Sequence, residues 1–337
     1  MEISFRCTSC RVKLGVDVIY AGRQMYCPQC NEAVTIPNAG LGNWSTLGDF
    51  RLLKVIGEGS TGQVFLARQN SMSREVALKV LHHRFSSDPR KLDEFYKEVK
   101  IIARLAHPNI VTALHAGQDG NYHYLAMNYI SGGTLEDLIE ENGILREKDA
   151  LKFTLLCAQA LDYAWEKEQI LHLDIKPENI MLDKNGQIKV TDLGIARCLR
   201  EIDEDDRIKG TPAYMSPEQA SGVKELDVRS DIFSLGGTLF FLLTCERPFG
   251  RGNVKEVLER VVSGKMEDPL KYNEFISKAT LKLLKDMTAT KRNKRISDWP
   301  ELIERIKDII YNHTETDTGV QKRHKTDPRI QLSRKND

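Results

Sequence analysis

Four side chains within 19 residues, Asp174, Lys176, Asn179 and Asp192, are the set whose types and spacing most directly imply chemistry. Phosphoryl transfer from a magnesium nucleotide needs two carboxylates, an ammonium and an amide. One carboxylate takes the hydroxyl proton, the amide and the second carboxylate hold metal, and the ammonium offsets charge on the moving phosphoryl group. Upstream, Gly57-Glu58-Gly59-Ser60-Thr61-Gly62-Gln63-Val64 reads G-x-G-x-x-G-x-V. Its glycines let backbone N–H groups approach phosphate oxygens with no Cβ in the way. Dinucleotide-binding loops share the first six positions but run from strand into helix. Here the run continues into strand-like Val64-Phe65-Leu66-Ala67-Arg68 and then Val76-Ala77-Leu78-Lys79.

A second cluster lies at the start of the chain. Cys7-x2-Cys10 and Cys27-x2-Cys30 are separated by sixteen residues and hold four of the seven cysteines. Each C-x-x-C turns the chain so that two thiolates reach one ion, and two such turns close a tetrahedral site. A module of residues 1–36 is too small to form a sufficient core alone, so a metal staple makes physical sense. The spacing resembles a zinc ribbon, with structural Zn2+; rubredoxin-like iron and a dithiol redox pair are the alternatives. Arg6, Arg11, Lys13 and Arg23 offer a surface to a partner of the ribbon, but Glu2, Asp17 and Glu32 dilute it toward an ordinary solvated face.

The elements that must position these groups follow from periodicity. Lys79 needs an acid to hold it. Phe95, Val99, Ile102 and Leu105 recur at helical spacing, and Glu98 falls on or beside that inward stripe, with Glu94 less well placed. His107-Pro108-Asn109-Ile110-Val111 stops the helix. Gly132-Gly133-Thr134-Leu135 caps another, and residues 148–169 form a long helix leading into the 172–179 stretch. The apolar run Ile232 to Cys245 is too short and interrupted for a membrane span and reads as a buried core helix.

Composition bounds the rest. A chain of 337 residues, 41% hydrophobic and 29% charged, accommodates about two domains with a large core. A net charge of +1 gives no bulk attraction to nucleic acid or acidic membranes. No apolar leader follows Met1, so the expected location is cytoplasmic. Residues 37–48 read as a linker, with Trp44 its odd member, and residues 312–337 as a polar disordered tail.

Taken in order, H-x-D-x-K-x-x-N at residues 172–179, D-x-G at 192–194, G-x-G-x-x-G-x-V and V-A-L-K resemble the eukaryotic-like protein kinases in their bacterial serine/threonine form. The resemblance implies an α+β bilobal fold over residues 49–311. A five-stranded antiparallel small lobe with one helix (49–127), a hinge (128–130) and a mostly helical large lobe (131–311) follow the zinc ribbon. It implies that Asp174 is the catalytic base, that Lys176 meets the γ-phosphoryl group, and that Asn179 and Asp192 hold Mg2+ or Mn2+. Lys79 pairs the α- and β-phosphates of ATP. Ile56 and residues Gly57, Glu58, Gly59, Ser60, Thr61, Gly62, Gln63 and Val64 surround the nucleotide. Ala77, Met127, Asn128, Tyr129, Ile130 and Met181 complete the adenine pocket. In Gly210-Thr211-Pro212-Ala213-Tyr214-Met215-Ser216-Pro217-Glu218, Thr211 meets the base and lysine at the substrate-docking stretch. Glu218 pairs with Arg295, and Asp231 accepts from the catalytic-loop backbone.

Two departures stand out. Leu173 occupies the place where the family often has the arginine that meets an activation-loop phosphate, and no Ser, Thr or Tyr lies between Gly194 and Gly210. That stretch carries Glu201, Asp203, Glu204, Asp205 and Asp206 instead. The expectation is an enzyme acting on Ser/Thr hydroxyls of protein substrates without conventional loop phosphorylation. The alternative is a pseudokinase scaffold presenting the ribbon to a partner, opposed by the presence of Lys79, Glu98, Asp174, Asn179 and Asp192 together. A kinase of small molecules is opposed by Thr211 and Ser216-Pro217-Glu218.

Overall fold

The computed structural model describes residues 2–17, 20, 23–36, 45–59, 62–193 and 212–316, with backbone alone at 2–4, 17, 83, 84, 98 and 312–316. The first segment forms two hairpins, β1 (Glu2–Arg6) with β2 (Lys13–Asp17), and β3 (Gln24–Tyr26) with β4 (Ala33–Thr35). Each C-x-x-C sits in the connection of one hairpin. The residue after each second cysteine, Arg11 and Asn31, adopts left-handed φ values of 61° and 56°, which returns the strand within six residues. The hydrogen bonds repeat as well: Cys7 N–H donates to the Val12 carbonyl and Arg11 N–H to Cys7, as Cys27 N–H does to Glu32 and Asn31 N–H to Cys27. Leu14 and Val34, at matching places, bury themselves with Cys7 and Cys27.

A six-stranded sheet follows, in the order β5-β6-β7-β8-β10-β9. Its strands are β5 (Thr46–Leu47), β6 (Phe50–Glu58), β7 (Gly62–Gln69), β8 (Arg74–Leu81), β9 (Ala113–Asp119) and β10 (Tyr122–Asn128). Five of them were expected. The extra edge strand, β5, comes from the end of the stretch read as a linker. Leu47 is buried there and Thr46 pairs with Arg51. Between β8 and β9 lie α1 (His83–Ser86) and α2 (Pro89–Ile102), the latter capped by Asp88 with Pro89 in its first turn.

Two compact units result, Met1–Ser87 with His115–Tyr129, and Asp88–Leu114 with Ile130–Asp337. The chain passes between them three times, after Ser87, Leu114 and Tyr129, the last within the residues read as the hinge. Helix α2, counted with the sheet from sequence, groups with the second unit. The reason lies just after it: Val111 N–H donates to the Val190 carbonyl and Val190 N–H to that of Asn109, a parallel bridge that ties this stretch to the strand Ile188–Val190.

The second unit contains α3 (Leu135–Asn142), α4 (Glu147–Glu168), the hairpin of β11 (Ile180–Leu182) and β12 (Ile188–Val190), α5 (Pro217–Ala220), α6 (Val228–Thr244), α7 (Val254–Ser263), α8 (Lys278–Met287) and α9 (Trp299–Thr316). Every residue of α6 except Arg229 is buried, so the apolar run read as a core helix is one. Helices α4 and α8 pack on α6, and α9 on α4. Among the described residues, no helix is long and apolar enough to cross a membrane. Helix α9 continues to Thr316, taking in the first five residues of the stretch read as a disordered tail. Extending an existing helix adds a hydrogen bond for each residue fixed, so propagation outlasts the apolar stripe.

Candidate active site and cysteine cluster

Strand register assembles the first part of the site. Lys79 in β8 lies opposite Val64 in β7 and Leu125 in β10, while Ala77 lies opposite Leu66 and Met127. Side chains alternate along a strand, so Val64, Ala77, Lys79 and Met127 share one face of the sheet. Val64, Ala77 and Met127 are only half-buried. The opposite face, with Phe65, Val76, Leu78 and Ala126, is closed to solvent. Lys79 is 6% exposed, which for an ammonium demands polar company.

The glycine-rich turn joins β6 to β7, with Gly59 N–H donating to the Gly62 carbonyl and His82 Nε2 to the Gly59 carbonyl at 3.0 Å. A Cβ on Gly62 would stand 2.1 Å from the Val80 carbonyl oxygen, so packing alone excludes one. Among the described residues, Cβ atoms on Gly57 or Gly59 would meet nothing closer than 3.8 Å. No packing need for that bareness exists among the described residues, and it fits a phosphate held by backbone N–H groups. Ile56 beside the turn remains 38% exposed, apolar surface suited to a purine.

In the second unit, Asn179 Nδ2 donates to both the backbone carbonyl and Oδ2 of Asp174, at 2.7 and 2.9 Å. Lys176 Nζ stands 3.2 Å from the same Oδ2. The amide hydrogens of Asn179 are thereby spent on Asp174, leaving its oxygen to coordinate a cation. Thr191 N–H and hydroxyl donate to the Asn179 carbonyl, which sets Asp192 beside Asn179 in the chain's path. Asp192 has a left-handed φ of 55°. Oxygen donors of this kind suit magnesium or manganese.

The loop carrying Asp174 is held from below. Asp231, 2% exposed at the start of α6, accepts from His172 N–H and Leu173 N–H, each at 2.7 Å. His172 Nε2 meets the Thr191 carbonyl at 2.9 Å. A carbonyl only accepts, so Nε2 carries the proton and Nδ1 accepts from Asp174 N–H. Leu173 itself has φ 60°, a conformation costing an L-residue roughly 1–2 kcal/mol. The bonds around it maintain that strain.

Helix α5 ends the stretch read as docking substrate. Glu218 makes a bidentate pair with Arg295, at 2.7 and 3.1 Å, and accepts from the Ser230 hydroxyl at 2.7 Å. Arg295 also donates to the Arg229 and Ala289 carbonyls and lies 4.9 Å from the Phe233 ring centre. Burial alone would raise the Glu218 pKa. The Arg295 guanidinium and the Ser230 hydroxyl outweigh it and hold the carboxyl below its ordinary range.

The four cysteines form a separate cluster. Their sulfurs all lie within 4.8 Å of one another, with Cys7 and Cys30 at 3.7 Å and Cys10 and Cys27 at 3.7 Å. A tetrahedral ion with Zn–S bonds of about 2.3 Å separates its sulfurs by about 3.8 Å. The Cys10 backbone N–H, with that of Ser9, lowers the Cys7 pKa, while burial and the neighbouring thiols outweigh the Val12 backbone N–H and raise that of Cys10, so one thiolate forms at the expense of the next unless an ion offsets their charge.

Each unit thus gathers its own share of the residues named from sequence. The first contains Ile56 through Gly59, Gly62, Gln63, Val64, Ala77, Lys79, Met127, Asn128 and Tyr129. The second contains Ile130, Asp174, Lys176, Asn179, Met181, Asp192, Glu218, Asp231 and Arg295. Ser60, Thr61, Thr211, Trp44, the 201–206 acids and the Glu98 side chain lie outside the described residues. Sequence reasoning missed Gln219, whose Nε2 donates to the Leu173 carbonyl at 2.9 Å, and His82. It also missed the twenty-residue repeat of the ribbon, which was visible as Cys7/Cys27, Cys10/Cys30 and Leu14/Val34.

Comparison with known proteins agrees with this geometry. A family model described as protein kinase domain matches residues 50–309. A Clostridium acetobutylicum protein named a probable serine/threonine-protein kinase is 33% identical over 270 residues, 80% of this chain and 41% of its own length. The serine/threonine-protein kinase PrkC of Bacillus subtilis is 34% identical over 244 residues, 72% of this chain and 37% of its own. The chain therefore spans about two fifths of the length of these relatives. Among solved structures, the Mycobacterium tuberculosis PknI kinase domain superposes with a TM-score of 0.63 at 23% identity, over 80% of this chain and 99% of that one. With the family model spanning most of the chain, and the Asp174, Lys176, Asn179 and Asp192 set in its place, the chain belongs to the protein kinase domain family.

Proposed function

We propose that the chain is a serine/threonine protein kinase that transfers the γ-phosphoryl group of ATP to Ser or Thr hydroxyls of proteins. The observation that carries this reading is the Asp174 carboxylate, oriented by Asn179 and neighboured by Lys176 on a loop clamped by Asp231. Asp174 accepts the proton of the acceptor hydroxyl, Lys176 offsets charge on the transferring group, and Asn179 with Asp192 supplies oxygen ligands. Bound magnesium or manganese would neutralise the phosphate charge. Lys79 would hold the α- and β-phosphates with Glu98 as its partner. The half-buried face of Val64, Ala77 and Met127, the hinge residues Asn128, Tyr129 and Ile130, and Met181 would receive adenine. Thr211 would orient the acceptor.

Leu173 supports a further part of the reading. It is buried, its N–H is taken by Asp231, and it has no charge to offer a phosphate. Activity is therefore independent of activation-loop phosphate, whose usual partner is an arginine at this place. The four cysteines hold a structural zinc ion in a module over residues 1–36, supported by the 3.7 Å sulfur separations.

The test uses the full-length protein, magnesium and labelled ATP, with a generic basic protein as acceptor and Asp192→Asn beside the wild type. Transfer by the wild type, lost in the variant, is expected, with mapped phosphates absent from Thr211. No transfer by folded, nucleotide-binding protein would refute the activity. Activating phosphate at Thr211 would refute the independence from loop phosphorylation.

A further inference from the structure

We infer that Gln219 is a positioning residue for Asp174, and that Ser216 determines which way its amide points. The inference rests on the kinase reading and deepens it. The peptide unit joining Leu173 to Asp174 is held at both ends. Gln219 Nε2 donates to the Leu173 carbonyl at 2.9 Å, and Asp174 N–H donates to His172 Nδ1 at 3.3 Å. On the other side of Leu173, its N–H is held by Asp231. A leucine at φ 60° persists only if the surrounding structure over-determines it. Asp231 secures one flanking peptide, and Gln219 secures the one that leads directly into the catalytic carboxylate.

The amide has only one useful orientation. Its oxygen accepts from the Ser216 backbone N–H and from the Ser216 hydroxyl, both at 3.1 Å. The Ser216 hydroxyl in turn accepts from Gln219 N–H at 3.3 Å, closing a capping box on α5. A backbone N–H only donates and a carbonyl only accepts. The side chain between Ser216 and Leu173 must therefore end in both an acceptor and a donor. A carboxylate would satisfy Ser216 and repel the Leu173 carbonyl, and an aliphatic group would satisfy neither. Ser216 is fully buried, so nothing from solvent replaces its contribution.

Gln219 also follows Glu218, whose carboxylate is anchored on Arg295. One turn of helix thus carries two anchors. Glu218 fixes α5 to the body of the unit, and Gln219 fixes the catalytic loop to α5. The segment read as docking the acceptor and the loop that bears the base are joined through this side chain.

The test compares full-length wild type with Gln219→Glu, Gln219→Ala and Ser216→Ala, using ATP and a generic basic protein. For Gln219→Glu, kcat is expected to fall about ten-fold or more, as for a misplaced catalytic group. KM for ATP and nucleotide-induced thermal stabilisation stay within about two-fold of wild type, since only transition-state geometry is affected. Hydrogen exchange at the Leu173 and Asp174 amides quickens. Gln219→Ala behaves alike, and Ser216→Ala less severely, because the backbone N–H at 216 remains. Wild-type kcat in both Gln219 variants, or equal loss of kcat and of nucleotide-induced stabilisation, would overturn the inference. Unchanged exchange at these amides would overturn it independently. If the wild type itself transfers no phosphate, the kinase reading fails, and the exchange comparison still decides whether Gln219 holds the loop.

Discussion

At the scale of single residues, Asp231, Glu218 and Arg295 are buried charges held by named partners, and the partners determine what a change costs. Removing one member of the Glu218–Arg295 pair leaves an uncompensated buried charge. Glu218→Gln is expected to lower unfolding free energy by about 3–5 kcal/mol, read from urea denaturation at neutral pH. The pH dependence follows from the direction of the shift. The folded carboxyl titrates below its ordinary value of 4.5, so the unfolded chain binds more protons in that window. The stability it contributes is complete above pH 4.5 and disappears as pH falls through the depressed folded value. The gap between wild type and Glu218→Gln should therefore close on acidification below pH 4.5. A gap that is constant with pH would show that the pair contributes through packing alone.

At the scale of elements, packing and the proposed phosphate contact fall on different glycines within four residues of the glycine-rich turn. Gly62→Ala places a methyl group 2.1 Å from the Val80 carbonyl, so β7 and β8 must part. Lower thermal stability is expected, in the range of about 1–3 kcal/mol for overpacking. Gly59→Ala meets no such obstacle among the described residues. It should leave the melting temperature near that of wild type while raising KM for ATP several-fold, because the methyl group occupies space meant for phosphate. Equal melting temperatures in the two variants would remove the distinction. The strands around this turn were readable from alternation and the V-A-L-K pattern. The two-residue β5 was not, because its pairing with β6 comes from a turn within a stretch whose Gly, Asn and Ser content signals only loop.

At the scale of the whole molecule, the kinase family domain follows a cysteine cluster with the dimensions of a metal site. Elemental analysis of protein purified without chelator is expected to find about one zinc per chain, the capacity of a four-thiolate tetrahedral site. Cys27→Ser should abolish it, and loss of the hairpin amides' exchange protection should accompany metal removal, since binding energy in such a module is folding energy. Iron, or no metal at all, would sink the assignment. The boundary of the second unit shows how assembly overrides local order. Residues 88–112 lie between strands of the sheet in sequence, yet the hydrogen bonds of Asn109 and Val111 to β12 place them with the helices.

The sequence by itself determined the family-level reading: the candidate residues for the chemistry, the glycine-rich turn, the core helix α6 and the paired C-x-x-C turns. These are local patterns, set by periodicity, by glycine's lack of a Cβ and by thiolate spacing, and local patterns survive without knowledge of the fold. Only the tertiary structure decided what holds them. Asp231 grips the loop from 59 residues away, Gln219 from 46, and Arg295 reaches Glu218 across 77. No periodicity records such pairings, because a hydrogen bond depends on where two chain segments meet. Leu173 illustrates the difference. Its identity marked a missing arginine, whereas its left-handed backbone and the bonds that maintain it arise from contacts that only folding creates.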